Sequence, residues 1–307
     1  MMRILFLSLT LLLVSYAPGP ASGFRGHGTD LRFFIVSDWG WNGGKSQQVV
    51  ADQMAKSAEA LEPSFIISCG DNFQVQGVAS TADPLWLTNF EYVYKDPALQ
   101  VDWFPVLGNH DYKGNTQAQI DYSKISRRWR LEAHYYTFVR KINDSISARF
   151  IFLDTPPFVS DYYRKEGFPD IVKQDTAAQL AWLRRTLAES HEQWKLVFGH
   201  HPVYSYGKVH GNTPELIDRL KPLLEKYHAQ IYFSGHDHDL QHLRNGPVDY
   251  IVTGTGGEPR PSGSGPLSLF NASTPAFSSI SMFADSIQVN FVDYKGNTIY
   301  TTSRSYR

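Results

Sequence analysis

Residues 32–72 read RFFIVSDWGWNGGKSQQVVADQMAKSAEALEPSFIISCGDN. The opening run, Arg32 to Ser37, is short, continuous and rich in aromatic and β-branched residues, which reads as a buried strand. From Ser46 to Leu61 the spacing changes, and Val50, Met54, Ala58 and Leu61 fall along one helical stripe. Phe65 to Cys69 is a second strand. Strand, helix and strand in that order imply a parallel or mixed sheet with helices packed on it. Both strands run directly into polar residues, Asp38-Trp39-Gly40 after the first and Gly70-Asp71-Asn72 after the second.

The same rhythm continues downstream. Trp103 to Leu107 is a strand, and Tyr135–Ile142 with Ala148–Asp154 reads as an antiparallel pair turning at Asn143-Asp144. A helix is expected over Asp175–Ser190, with Leu180, Leu183 and Leu187 facing inward. Lys195–Gly199 is a strand. Pro214–Tyr227 is a helix capped by Thr213 and kinked or restarted at Pro222. Gln230–Ser234 and Tyr250–Thr253 are strands, and Phe277–Tyr300 alternates as β structure. Pro259 to Pro275, rich in Ser, Gly and Pro, reads as a surface loop. The whole reads as one α/β domain with sheets in the middle and helices outside.

Composition narrows the function. The chain has 307 residues and a formal net charge of −1, which gives no basic footprint for nucleic acid. The single cysteine, Cys69, excludes an intramolecular disulfide and a cysteine-based zinc finger. Arg3, the apolar run Ile4–Val14 and the small residues Ala17 to Gly23 describe a signal peptide over residues 1–23, leaving 24–307 as the domain. The expectation is a secreted or periplasmic protein with no membrane segment in its mature form. Asn143 and Asn271 open glycosylation sequons.

Five motifs end expected strands: Asp38-Trp39-Gly40, Gly70-Asp71-Asn72, Gly108-Asn109-His110-Asp111, Gly199-His200-His201 and Gly235-His236-Asp237-His238. In open α/β sheets, ligands bind at the carboxyl ends of strands. Taken singly, each motif has a bland reading as a turn, a helix cap or ordinary packing. All five in order, each closing an apolar strand, are not a chance pattern. Their oxygen and nitrogen donors suit Fe, Mn or Zn better than copper or a thiolate cluster. Two metals about 3.5–4 Å apart can clamp the attacking and leaving oxygens of a phosphate displacement. His236 and His238, two apart on an extended segment, would each serve a different metal. Gly43-Gly44-Lys45-Ser46 imitates the end of a phosphate loop, but Trp39 stands where that loop needs glycine.

In these motifs, and in Tyr122-Ser123-Lys124-Ile125-Ser126 and Asp154-Thr155-Pro156-Pro157-Phe158, the chain resembles the purple acid phosphatases, a branch of the calcineurin-like metallophosphoesterases. The likeness is strongest to the small animal tartrate-resistant and plant low-molecular-weight group, and covers about Leu31 to Tyr294. The resemblance implies a four-layer α/β/β/α sandwich with two mixed central sheets flanked by helices. It implies two metal ions, iron paired with iron, zinc or manganese. Asp38 and His238 would hold the first, ferric in the family; Asp71 would bridge; Asn109, His200 and His236 would hold the second. His110 and His210 would face the ester. His201 follows a ligand without being one, and His27, His134, His191, His228 and His242 are expected on the surface or in packing. One departure stands out: the family tyrosine that binds ferric iron and gives the purple colour is Gln74 here. Related branches without that tyrosine carry histidine at the third position of the first motif, which is Gly40. The first metal then keeps Asp38, Asp71 and His238, with solvent or the Gln74 amide oxygen completing its shell, and a divalent ion becomes acceptable there.

The implied reaction is hydrolysis of a phosphate monoester, with a metal-bound hydroxide attacking phosphorus and His110 protonating the leaving group. A phosphodiesterase or nucleotide phosphoesterase would use the same site with a different rim. A catalytically silent metal- or phosphate-binding protein is the alternative from another class.

Overall fold

The apolar run at the head of the quoted stretch forms strand β1 (Leu31–Val36) in a computed structural model that describes residues 31–306. The expected export signal and His27 fall within residues 1–30, outside the described residues. Helix α1 (Gln47–Leu61) buries Val50, Met54 and Ala58, and β2 (Phe65–Ser68) and β3 (Asp102–Pro105) follow. Next come α2 (Thr116–Tyr122), β4 (Tyr136–Lys141), β5 (Ser147–Phe152), α3 (Thr176–Ala188) and β6 (Trp194–Phe198). The remainder is α4 (Pro214–Arg219), α5 (Lys221–Lys226), β7 (Ile231–Ser234), β8 (Leu240–Asn245), β9 (Val248–Thr253), β10 (Ser268–Ala272), β11 (Ala276–Met282), β12 (Ser286–Asp293) and β13 (Thr298–Ser305).

These strands make two mixed sheets, ordered β13-β12-β11-β1-β2-β3 and β10-β8-β9-β7-β6-β5-β4. In the first, β1, β2 and β3 run parallel, and β11 lies antiparallel to β1. In the second, β5, β6, β7 and β9 run parallel, with β4 and β8 antiparallel. The sheets face each other across an aromatic core. Phe33 and Phe65 meet Phe150 with ring centroids 5.4 Å apart, and Phe104 meets Phe138 at 4.3 Å. Such pairs add packing energy beyond the area they bury. On the outer face of the second sheet, Leu183 and Leu187 of α3 and the leucines of α4–α5 bury Val197, Tyr232 and Val252. Helix α1 covers the first sheet beside β11. This is the α/β/β/α sandwich that the sequence implies. Among the described residues, no helix is long and apolar enough to cross a membrane.

Three local expectations change. The stretch 259–275 is not wholly loop, because β10 lies within it and pairs antiparallel with β8. Its mixed sequence, Ser-Leu-Phe-Asn-Ala, suits an edge strand, which need not be apolar on both faces. Thr213 occupies the helix-cap position but makes no side-chain capping bond. The helix does break and restart, at Leu220 just before Pro222. His236 has φ +67°, so the His-Asp-His segment is bent rather than extended.

Candidate metal centre

Strand ends from both sheets converge on one crevice. Asp38 follows β1, Asp71 follows β2, and Asn109 and His110 follow β3. His200 follows β6, and His236 and His238 follow β7. The chain turns abruptly at three of these positions: Asp38 (φ +58°), Asp71 (φ +50°) and His236 (φ +67°) are all left-handed. Non-glycine residues rarely adopt that conformation, and each costs about 1–3 kcal/mol. Two motif glycines permit the close approach. A Cβ on Gly108 would lie 2.2 Å from Asp71 Oδ1, and one on Gly235 would lie 2.3 Å from Asp38 Oδ2.

The donors form two groups that meet at Asp71. One oxygen or nitrogen from each of Asp38, Asp71 and His238 lies within 4.8 Å of the others. His238 Nε2 is 3.5 Å from Asp38 Oδ1. In the second group, His200 Nε2 stands 3.3 Å from His236 Nδ1, 3.0 Å from Asn109 Oδ1 and 3.4 Å from Asp71 Oδ1. The bend at His236 therefore delivers His236 and His238 to different groups. The Nδ1 atoms of His200 and His238 face the carbonyls of Cys69 (2.9 Å) and Glu258 (2.8 Å). Those bonds fix each ring with Nε2 turned to the crevice, the usual orientation device for metal-binding imidazoles.

The electrostatics fit a pair of cations. Asp38 and Asp71 are almost fully buried, and Asp38 Oδ1 has no hydrogen-bond partner. Burial first, and then the neighbouring Asp71 charge, push the Asp38 carboxyl well above its usual range. Two carboxylates so placed need compensating positive charge. Burial holds His200 and His236 below the usual imidazole range, and burial together with Arg260 holds His238 down at about 4. Neutral imidazoles, the ligating form, are thus favoured.

His110 sits at the mouth, partly exposed, with Nε2 3.9 Å from Asp71 Oδ2 and its backbone N–H donating to Asp71 Oδ1 at 2.8 Å. His210 lies on the exposed rim with its ring stacked on His236, centroids 4.0 Å apart. His201 lies close to His200 and His236, but its ring nitrogens face Thr155 Oγ1 (3.1 Å) and Tyr162 Oη (2.8 Å), which leaves neither free. Gln74 is buried and reaches the site through its amide nitrogen, which donates to Asp71 Oδ2 at 3.3 Å. The amide oxygen is therefore not the atom presented to Asp71. Gly40 admits no histidine, since a Cβ there would lie 2.3 Å from Asn72 O.

Several supporting residues stand in or beside the motifs without an assigned role. Asp111 is a buried brace that accepts from the backbone N–H groups of Gly108, Asn72 and Phe73 and from the Gln119 amide. Thr155 Oγ1 accepts from the backbone N–H groups of both His200 and His201. The glycine-rich segment after β9, which the sequence leaves unassigned as far as Glu258, supplies the Glu258 carbonyl and, through the loop expected from Pro259, ties the Arg260 N–H to His238 O at 2.7 Å. His134 pairs with Asp154 and His242 with Asp249, both in packing networks away from the two donor groups.

The family description Calcineurin-like phosphoesterase matches residues 31–240. The chain is 38% identical over 265 residues to tartrate-resistant acid phosphatase type 5 of Oryctolagus cuniculus, covering 82% of this chain and 81% of that one. It is 33% identical over 292 residues to purple acid phosphatase 7 of Arabidopsis thaliana, covering 90% and 87%. Among solved structures it is similar to GAP50, the anchor in the inner membrane complex of Plasmodium, with a TM-score of 0.80 and 27% identity over 91% of this chain and 90% of that one.

Proposed function

The chain belongs to the calcineurin-like phosphoesterases, among the relatives of the purple and tartrate-resistant acid phosphatases, and from that premise we propose that it hydrolyses phosphate monoesters at a two-metal centre. The observation that carries this reading is the pair of donor groups joined at Asp71, with Asp38 Oδ1 of the first group buried and without a hydrogen-bond partner. Asp38, Asp71 and His238 would hold one ion, and Asp71, Asn109, His200 and His236 the other. When bound, the two ions polarise the phosphate oxygens and acidify water near phosphorus. Water attacks phosphorus in line, and the bond from phosphorus to the ester oxygen breaks. His110, at the mouth, gives its proton to the departing alcohol. His210, on the rim beside His236, orients the phosphate. Gln74 supplies no anionic ligand, so the first site accepts a divalent ion more readily than a tyrosine-bearing site. An export signal at residues 1–23 would carry the enzyme out of the cytosol, and cell fractionation checks it.

Metal analysis of the purified protein, run alongside hydrolysis of phenyl phosphate and diphenyl phosphate across pH, tests the proposal. Two metal equivalents per chain and a strong monoester preference are expected; faster diester turnover would make it a phosphodiesterase. A second reading, a non-catalytic scaffold, draws on the likeness to the Plasmodium protein described as an anchor. Binding of inorganic phosphate by metal-loaded protein without turnover of either ester would favour that reading.

A further inference from the structure

A cavity of about 780 Å³ opens directly beside the candidate centre. Two of its wall residues also touch the site. Gln74 contacts Asp71 at 3.3 Å, and Lys113 Nζ lies 3.4 Å from His110 Nδ1. His110 is the residue placed to protonate the ester oxygen, and Lys113, which touches it, and Gln74, which touches Asp71, both stand on the wall of this space. The walls beyond are largely apolar, with Trp41, Phe73, Val75 and Leu85 among them. Of the charged lining residues, Lys113 is set against Asp83 and Glu166, so the cavity offers no surplus of positive charge to a second anionic group. The Asp83 carboxylate already accepts from the backbone N–H groups of Ala79 and Leu85.

Val75 is the feature that gives the cavity a purpose. It has φ +76°, and the Gln76 N–H donates to Gln74 O across it, which makes a γ-turn of the rarer, strained hand. A β-branched residue is a poor occupant of that conformation. No core packing compensates, because Val75 is 59% exposed. Backbone strain of this kind clusters at active sites and ligand clamps. A further irregular segment, the π-helical turn Trp86–Glu91, contributes Asn89 to the same wall.

We propose that this cavity is the leaving-group subsite, that it selects neutral, bulky aryl or branched alkyl alcohols, and that Val75 is its specificity-determining wall. The assignment rests on the monoesterase reading above. Phenyl phosphate and 4-tert-butylphenyl phosphate test it, since their phenols are similar leaving groups and differ chiefly in bulk. The native protein should favour the bulkier ester in kcat/KM. Val75→Gly, which relieves the turn and removes the apolar wall, should lose roughly tenfold of that preference, mainly through KM. A thermal melt verifies that the variant folds. The same preference in native protein and variant, or none in the native protein, overturns the proposal. If no monoester is turned over, the reading of the activity fails, and calorimetry still judges the cavity. Tighter binding of 4-tert-butylphenyl phosphate than of inorganic phosphate, weakened in Val75→Gly, supports it; equal affinities for the two reject it.

Discussion

Replacing Gly108 by alanine tests whether the backbone at the end of β3 is shaped by Asp71. The added Cβ would lie 2.2 Å from Asp71 Oδ1 and 2.3 Å from Asp71 N. Ordinary contact begins near 3.4 Å, so the carboxylate and its backbone must retreat by about 1 Å. Asp71 is buried and is held by the His110 N–H and the neighbouring His200, so it has no slack in which to move. Overpacking of this kind costs about 1–3 kcal/mol, which for a chain of this size lowers Tm by several degrees. The functional loss should be larger, because a misplacement of about 1 Å at a catalytic centre costs on the order of 10²-fold. Gly246→Ala is the comparator. Gly246 has positive φ, at +59°, and lies in the β8–β9 turn, so Gly246→Ala should lose comparable stability through backbone strain without touching the site. Metal content, phenyl phosphate kcat and thermal melts of both variants decide the matter. A Gly108→Ala protein with native metal content and native kcat would refute the reasoning.

The remaining expectations concern single groups. His110→Ala should keep its metals and slow turnover by ~10²–10⁴-fold, least for nitrophenyl phosphate; equal losses for good and poor leaving groups would remove the acid role. Iron-loaded, oxidised protein should lack a strong visible absorption band, and Gln74→Tyr, whose ring has the neighbouring cavity to occupy, should gain one; a band in the native protein would reveal a different phenolate ligand. Asp249 is buried, and although burial raises its pKa, its bonds to His242 and Arg244 outweigh this and hold it below the usual carboxylate range. A depressed folded pKa means that the stabilisation is complete above about pH 4 and is lost as acid titrates the folded carboxylate. Asp249→Asn should therefore cost about 3 kcal/mol near neutral pH and progressively less below pH 4, read by denaturant melts at several pH values; a pH-independent cost would count against it.

The two sheets were legible because their central strands announce themselves. FIIS and IYFS are continuous apolar runs, as parallel strands buried on both faces must be. What escaped was the periphery. Strand β10 reads as loop because an edge strand faces solvent and can be built from Ser, Leu, Phe, Asn and Ala in no clear alternation. Strand β8 was hidden for another reason: it carries Gln241, His242 and Arg244, polar residues that are buried or paired only because Asp239, Asp249 and Tyr300 meet them in three dimensions. Tyr300 is remote in sequence, and Asp249 reaches His242 and Arg244 only across the β8–β9 hairpin, so no strand-like alternation reports these pairings.

At the centre the same contrast has a different cause. Residue types and order pointed to the donors, because metal chemistry restricts which side chains can serve. The backbone that presents them is announced by no local pattern: Asp38, Asp71 and His236 all occupy the left-handed region, which few non-glycine residues adopt. Glycine is instead spent beside them, at Gly108 and Gly235, where only the absence of a Cβ lets the next strand end come close. The donor cannot be glycine because its side chain is needed, so the strain falls on the donor and the space is made by its neighbour. The same logic applies at Val75, which keeps a side chain in a turn that glycine would suit better and lies on the wall of the adjoining cavity.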